Sequence, residues 1–321
     1  MQGKDLVLSG SIIPAQNRLG SELDSAKKYA AASRADATRK AYASDWRDFD
    51  SFCAARDLQA LPAAPETLAI YLAALADAGR KVSTIRRRVV AIGSIHKLAG
   101  HLNPGDAPAA RATLEGIERQ IGTAPTKKAA LTVDLVTKAL RKIPEDLTGL
   151  RDRALILVGF AAALRRSELV GLDRADIRPH PKGLLVIIRR SKTDQKGEGK
   201  SKAIPHGRRL HVAAALDAWL AAAKITSGPV FRGVRGKTVL ANRLCTKQVA
   251  RIIQTRAGAI GLDPTSFGGH SLRSGFITSA ADSGATLQSI ASHAAHAKID
   301  TTLGYVQVQD AFANSPGKKF L

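Results

Sequence analysis

Apolar positions three and four residues apart organise the first third of the chain. Tyr42, Trp46, Phe49 and Cys53 follow one another at steps of four, three and four. That spacing lines one face of an α-helix, so a helix is predicted over Ala37–Arg56 with this face in a core. Pro65 and Glu66 open a second helix carrying Leu68, Tyr71, Leu72 and Leu75, and Gly79 is placed to end it in the left-handed conformation that glycine adopts without penalty. Ser83 is the expected cap of a third helix that buries Ile85, Val89, Ile92 and, at its far end, Leu98. Arg86, Arg87 and Arg88 are consecutive on that helix and cannot all point inward, so at least two face solvent or phosphate. A fourth helix, Pro108–Ile121, completes an all-helical unit.

Beyond it the pattern becomes mixed. Helical spacing over Thr132–Arg141 and Arg151–Leu169 gives way to Asp176–Pro205, where LLVIIRR reads as a strand by its β-branched run, with turn residues around it. Helices are predicted again at Leu210–Ala223, Thr246–Ala259, Leu272–Ser283 and Leu287–Ser292. The expected fold class is therefore mainly α with a small β-sheet: an all-helical domain over 20–122, a linker over 123–128, and a mixed α/β domain over 129–321. Residues 1–19 mix Gly, Ser, Pro and Gln without periodicity and read as a flexible leader. No repeats or low-complexity tracts are visible.

Charge narrows the partner. Of 321 residues, 49 are Lys or Arg and 27 Asp or Glu, a formal net charge of +22, which favours a polyanion such as nucleic acid. Residues 1–125 hold 17 basic and 13 acidic side chains, whereas 126–321 hold 32 and 14, so the second half carries most of the field. Two cysteines, Cys53 and Cys245, are too few for a disulfide framework or a thiolate metal site. No apolar stretch approaches membrane-spanning length and no secretory signal opens the chain, so no membrane partner is expected and a cytoplasmic location fits.

Four segments carry candidate chemistry. HAKIDTTLGYVQ places His296 nine residues before Tyr305, the one tyrosine of the second half. Alone, such a tyrosine usually packs its ring and hydrogen-bonds its hydroxyl. GGHSLRSGF sets His270 and Arg273 three apart, on one face of a starting helix where both can meet a phosphate. In AALRRSELVGL, Arg165 emerges from an apolar helix and needs a partner, either Glu168 or a bound anion. RRSKTDQKGEGKSKAIP is dense in lysine; a solvated hairpin is its default reading, yet one lysine, Lys192 or one of Lys196, Lys200 and Lys202, could reach a phosphate as a point charge and proton donor.

Taken along the chain, as Arg, Lys, His-x-x-Arg, His and Tyr, the four segments resemble the active site of the tyrosine recombinases of the phage integrase family. The helical first half is similar to that family's core-binding domain, so the resemblance covers most of the chain, and its simple two-domain members look closest. The resemblance implies Arg165 and Arg273 as the phosphate-binding arginines, Glu168 as the acid that buttresses Arg165, and Lys192 as the hairpin lysine that protonates the leaving oxygen. It further implies His270 as proton acceptor or relay, His296 as a hydrogen-bond donor to the phosphate, and Tyr305 as the nucleophile that forms a 3′-phosphotyrosyl link to DNA. Ala295 stands where a glycine is common and Gly304 where an arginine is common; neither removes a functional group. His293 shares the segment with His296, but only His296 keeps the usual distance to the tyrosine.

The resemblance further implies double-stranded DNA with a specific recombination site as partner, a homotetramer on two such sites, Arg86, Arg87 and Arg88 as DNA contacts, and no cofactor or metal. It also suggests that the tail Val306–Leu321, with Phe312, Phe320 and Leu321, docks on a neighbouring subunit. No arm-binding domain is expected ahead of the helical half. The rival readings are a type IB topoisomerase, a noncatalytic DNA-binding protein of the same fold, and a metal-dependent nuclease.

Overall fold

The computed structural model describes residues 22, 24–25, 28–29, 35–124, 128–189, 199–296 and 299–306, with the side chains of Tyr305 and Val306 excepted. The proposed leader, the middle of the linker, the loop bearing Lys192 and Lys196, and the tail beyond residue 306 lie outside the described residues. The chain divides into two units, 1–125 and 126–321.

In the first unit, helices α1 (Asp36–Ala54), α2 (Pro65–Asp77), α3 (Val82–Leu98) and α4 (Pro108–Ile121) surround one core. The 3.6-residue stripes close it: Phe49, Cys53, Leu68, Tyr71, Leu72, Ile85 and Ile92 are buried. Phe49 and Phe52 each meet the Tyr71 ring edge-on at 5.0 Å between centroids. Gly79 has φ +69 just past the end of α2, as expected of a left-handed cap.

Two expectations are corrected here. Ser83 does not cap α3, which begins at Val82 after Lys81 without a side-chain cap bond. Leu98 is 82% exposed. The core stripe runs instead through His96, two residues earlier and some 200° away around the helix. The His96 ring accepts the Ala63 N–H at 2.9 Å through Nε2, while its Nδ1 meets the Ile92 carbonyl at 2.9 Å.

The second unit contains α5 (Val133–Arg141), α6 (Leu147–Ala161), α7 (Arg166–Gly171), α8 (Val212–Ala222), α9 (Thr246–Gly258), α10 (Ser271–Asp282), α11 (Leu287–Ala294) and α12 (Ile299–Val306). An antiparallel sheet, ordered β1 (Ile177–His180), β2 (Gly183–Ile188), β3 (Lys200–Pro205), packs on the same core, and β4 (Arg232–Arg235) pairs with β5 (Thr238–Arg243) in a hairpin. Sequence patterning finds one of these five strands. β3 was missed because KSKAIP reads as a charged loop, although its period of two turns Lys202 and Ile204 onto the buried face, opposite Val186 and Leu184.

The helix predicted over Arg151–Leu169 is two helices. At its break the Ala163 N–H bonds the Phe160 carbonyl at 2.9 Å and the Leu164 N–H reaches back to the Gly159 carbonyl at 3.0 Å, with Ala163 at φ +48. This is a Schellman-type stop built on alanine, so the glycine that usually marks one is absent. The turn ends α6 in the core and starts α7 at Arg165. Helix α10 lies so close to residue 131 that a Cβ on Gly275 would stand 1.9 Å from the Leu131 carbonyl oxygen. That contact fixes the depth at which Arg273, two residues earlier, enters the unit.

Candidate active site

The site is built around the turn that ends α6. A helix C-terminus leaves carbonyls without intrahelical partners, and three consecutive ones are taken here by side chains from three other elements. The Ala161 carbonyl meets His293 Nε2 of α11 at 2.9 Å, the Ala162 carbonyl accepts from Lys202 Nζ of β3 at 2.9 Å, and the Ala163 carbonyl accepts from Arg273 Nη1 of α10 at 2.8 Å. Two residues further on, Arg165 caps α7. Its backbone N–H donates to Glu168 Oε2 at 2.9 Å and its guanidinium to Oε1 at 2.6 Å. Glu168 is buried and Arg165 keeps one edge accessible, so the acid orients the arginine without covering it.

His296 arrives from the other side. Ala295 adopts φ +52, ψ 51 at the end of α11 and turns the chain so that the His296 N–H reaches the Ala291 carbonyl at 3.0 Å. The left-handed backbone explains why glycine suits this position. His296 Nδ1 lies 2.8 Å from the Thr302 hydroxyl, and Thr302 is buried in α12, which packs on α10 and α11. Position 305 falls in the last turn of that helix, one turn beyond Thr302; its side chain lies outside the described residues, as does Lys192.

The proximity of these groups shifts their protonation. Burial, followed by the positive charges of Arg273, Arg165 and Lys202, pushes His296 down to about 4, leaving a neutral imidazole near pH 7. Lys202 is itself pushed down to about 8 by burial and by Arg273 and Arg165, against the opposing pull of Glu168. His293 is lowered mainly by burial, and its ring stacks on Phe276 at 4.6 Å. An anion entering this cluster would meet fixed positive charge in a partly dehydrated setting, the arrangement that stabilises developing negative charge.

The structure thus brings together Arg165, Glu168, Arg273 and His296. His270 stands exposed at the start of α10, one turn before the buried Arg273. Sequence reasoning missed three contributors. Lys202 was grouped with the solvated lysines, His293 was weighed only as a rival to His296, and Thr302 was not considered. The alternation of Lys202 with Ile204 was the one available signal. Among the described residues no group of three or more His, Cys, Asp or Glu side chains is arranged to hold a metal ion.

The three arginines of α3 sit differently. Arg86 forms a forked pair with Glu118 at 2.5 and 2.6 Å. Arg87 does the same with Asp45 at 2.9 Å twice. Arg88 is only 8% exposed and bonds Asp48 and the Tyr71 hydroxyl, which turns it away from the solvent face. Burial alone would raise Asp48, yet the bonds from Tyr71 and Arg88 outweigh it and hold the carboxyl below its usual range.

The family model described as the phage integrase family matches residues 130–311. An integrase/recombinase xerD homolog of Selenomonas ruminantium is 41% identical over 263 residues, covering 80% of this chain and 77% of that protein. The tyrosine recombinase XerC of Mycobacterium sp. (strain KMS) is 30% identical over 308 residues, covering 90% and 94%. The fold is shared with a lambda integrase (75-356) dimer bound to a COC' core site, at a TM-score of 0.60 and 17% identity over 89% of this chain and 94% of that one. The chain belongs to the phage integrase family. It is a tyrosine-type site-specific recombinase, an enzyme that breaks and rejoins DNA strands.

Proposed function

We propose that the α6 turn is the phosphate site of this recombinase and that Tyr305 is its nucleophile. The Tyr305 phenolic oxygen attacks a DNA phosphorus in line, the bond from phosphorus to the 5′ oxygen breaks, and a 3′-phosphotyrosyl link forms. His270 accepts the phenolic proton and Lys192 supplies one to the departing 5′ oxygen. Arg165 and Arg273 hold the nonbridging oxygens through forked hydrogen bonds, and neutral His296 donates a further one. Attack by the 5′ hydroxyl of a partner strand reverses the chemistry and yields a Holliday junction, with the phosphodiester energy conserved throughout.

Double-stranded DNA bearing a specific site is the substrate. The basic second unit contacts its backbone, while Arg86 and Arg87 present the remaining charge of α3 to it; Arg88 supports that face from within. Four copies act on two sites, and the tail beyond residue 306 links neighbours. No described helix is long and apolar enough to cross a membrane, in keeping with action on cytoplasmic DNA.

The observation that carries this reading is the meeting of Arg165 and Arg273 at one turn, with His296 near enough to feel both charges. A nicked suicide duplex from the DNA flanking the gene, in excess chelator, tests it. Wild type should trap covalent protein on DNA and Tyr305→Phe should trap none. Equal trapping by both would contradict the assignment, and plasmid relaxation without recombinant products would favour a topoisomerase.

A further inference from the structure

Lys202 has no role in the chemistry just described, yet it occupies the middle of the cluster. Its side chain enters from the buried face of β3, and Nζ donates to two carbonyls, Ala162 at 2.9 Å and His293 at 2.7 Å. Both acceptors lie at helix C-termini: Ala162 follows the last residue of α6, and His293 is the penultimate residue of α11. Each such end carries partial negative charge, and one ammonium between two of them satisfies both. Arg165 follows the first end by three residues, and His296 follows the second by three.

We infer that Lys202 is a positioning residue, which clamps the ends of α6 and α11 together and thereby sets Arg165 and His296 against the same phosphate. This rests on the recombinase reading of the site. A buried ammonium is disfavoured beside Arg273 and Arg165, so a lysine here weakens its own environment unless the two carbonyl bonds are needed. Those bonds also distinguish it from a leaving-group acid, because two of its three N–H donors are committed to the backbone. The charged or titratable groups facing it are Arg273 of α10, Arg165 and Glu168 of α7, Lys200 of β3, and His293 and His296 around the end of α11.

The test compares two nicked duplexes of one core site taken from the DNA flanking the gene, one with the natural 5′ oxygen and one with sulfur at that bridging position. A thiolate departs without a proton, so sulfur rescues loss of an acid but not loss of alignment. Lys202→Met is expected to form covalent complex more slowly by on the order of 10²-fold on both duplexes, the penalty that a misplacement of about 1 Å carries. Restoration by sulfur would overturn the proposal, as would wild-type cleavage on both. Should the methionine variant fail to fold, Lys202→Arg serves. A guanidinium keeps its proton, so normal cleavage of the oxygen duplex supports positioning, whereas cleavage of the sulfur duplex alone refutes it.

Backbone amide chemical shifts of Arg165 and His296, read by NMR, report the clamp without turnover. Both should move in Lys202→Met, and unchanged shifts would count against the clamp. If the wild type traps neither duplex, the recombinase reading fails while these shifts still decide the role of Lys202.

Discussion

Two of the arginine clusters in this protein, on α3 and around the α6 turn, differ in what neutralises them. On α3 the three consecutive arginines meet carboxylates: Arg86 with Glu118, Arg87 with Asp45, Arg88 with Asp48. Around the α6 turn, Arg273 and Lys202 donate to backbone carbonyls, and the acid facing the cluster among the described residues is Glu168, held by Arg165. A carboxylate cancels a charge, whereas a carbonyl orients it and leaves it in place. The α3 cluster is therefore a structural lattice with a partly charged outer edge. The α6 cluster retains the field an anion needs, and that field adds to burial in depressing His296.

That contrast can be broken at either end. The largest effect is expected for Arg273→Ala, which should slow formation of covalent complex on a nicked duplex by on the order of 10²–10³-fold, as removal of one preorganised donor to a developing charge does, while the protein still binds DNA in a gel-shift assay. On α3 the effect should fall on stability. Arg88→Ala removes the buried guanidinium that Asp48 and the Tyr71 hydroxyl share, although the Tyr71 hydroxyl still donates to the partly exposed Asp48, and a loss of about 1–2 kcal/mol in urea unfolding is expected, whereas the exposed Arg86→Ala should leave the midpoint unchanged and lower the salt dependence of DNA binding by about one unit of slope.

A smaller effect is expected from pH. The native state holds the Lys202 proton less tightly than the unfolded chain, so the unfolded chain binds more protons between about pH 8 and the ordinary lysine range. The penalty for burying the charge is full below that window and is relieved above it. Unfolding free energy of the wild type relative to Lys202→Met should therefore rise from pH 7.5 to 10. A flat difference would mean that Lys202 is no more buried than a surface lysine.

How much of this was legible in the sequence follows the same division. The helical stripes of the first unit, the pairing of Arg165 with Glu168 and the placing of His270 and Arg273 at the start of one helix were readable, because period and local spacing survive in a linear string. What escaped was set by tertiary contact. The α6 break rests on an alanine at φ +48, which carries no compositional mark. Lys202 looked like one solvated lysine among several, since its burial depends on a strand pairing that places it opposite Val186. Arg88 looked available to DNA because Asp48 lies 40 residues away in sequence. Leu98 looked buried only until His96, an uncounted polar residue, proved to hold the core stripe.

The most direct test is to identify the residue that becomes linked to DNA. Wild type, Arg273→Ala and Arg86→Ala would each be trapped on the same nicked duplex, digested, and the nucleotide-bearing peptide sequenced by mass spectrometry. The adduct should sit on Tyr305 in wild type and Arg86→Ala, and be nearly absent from Arg273→Ala. An adduct on Tyr29, Tyr42 or Tyr71, or one that survives in Arg273→Ala but disappears with Arg86→Ala, would move the reacting phosphate away from the α6 turn.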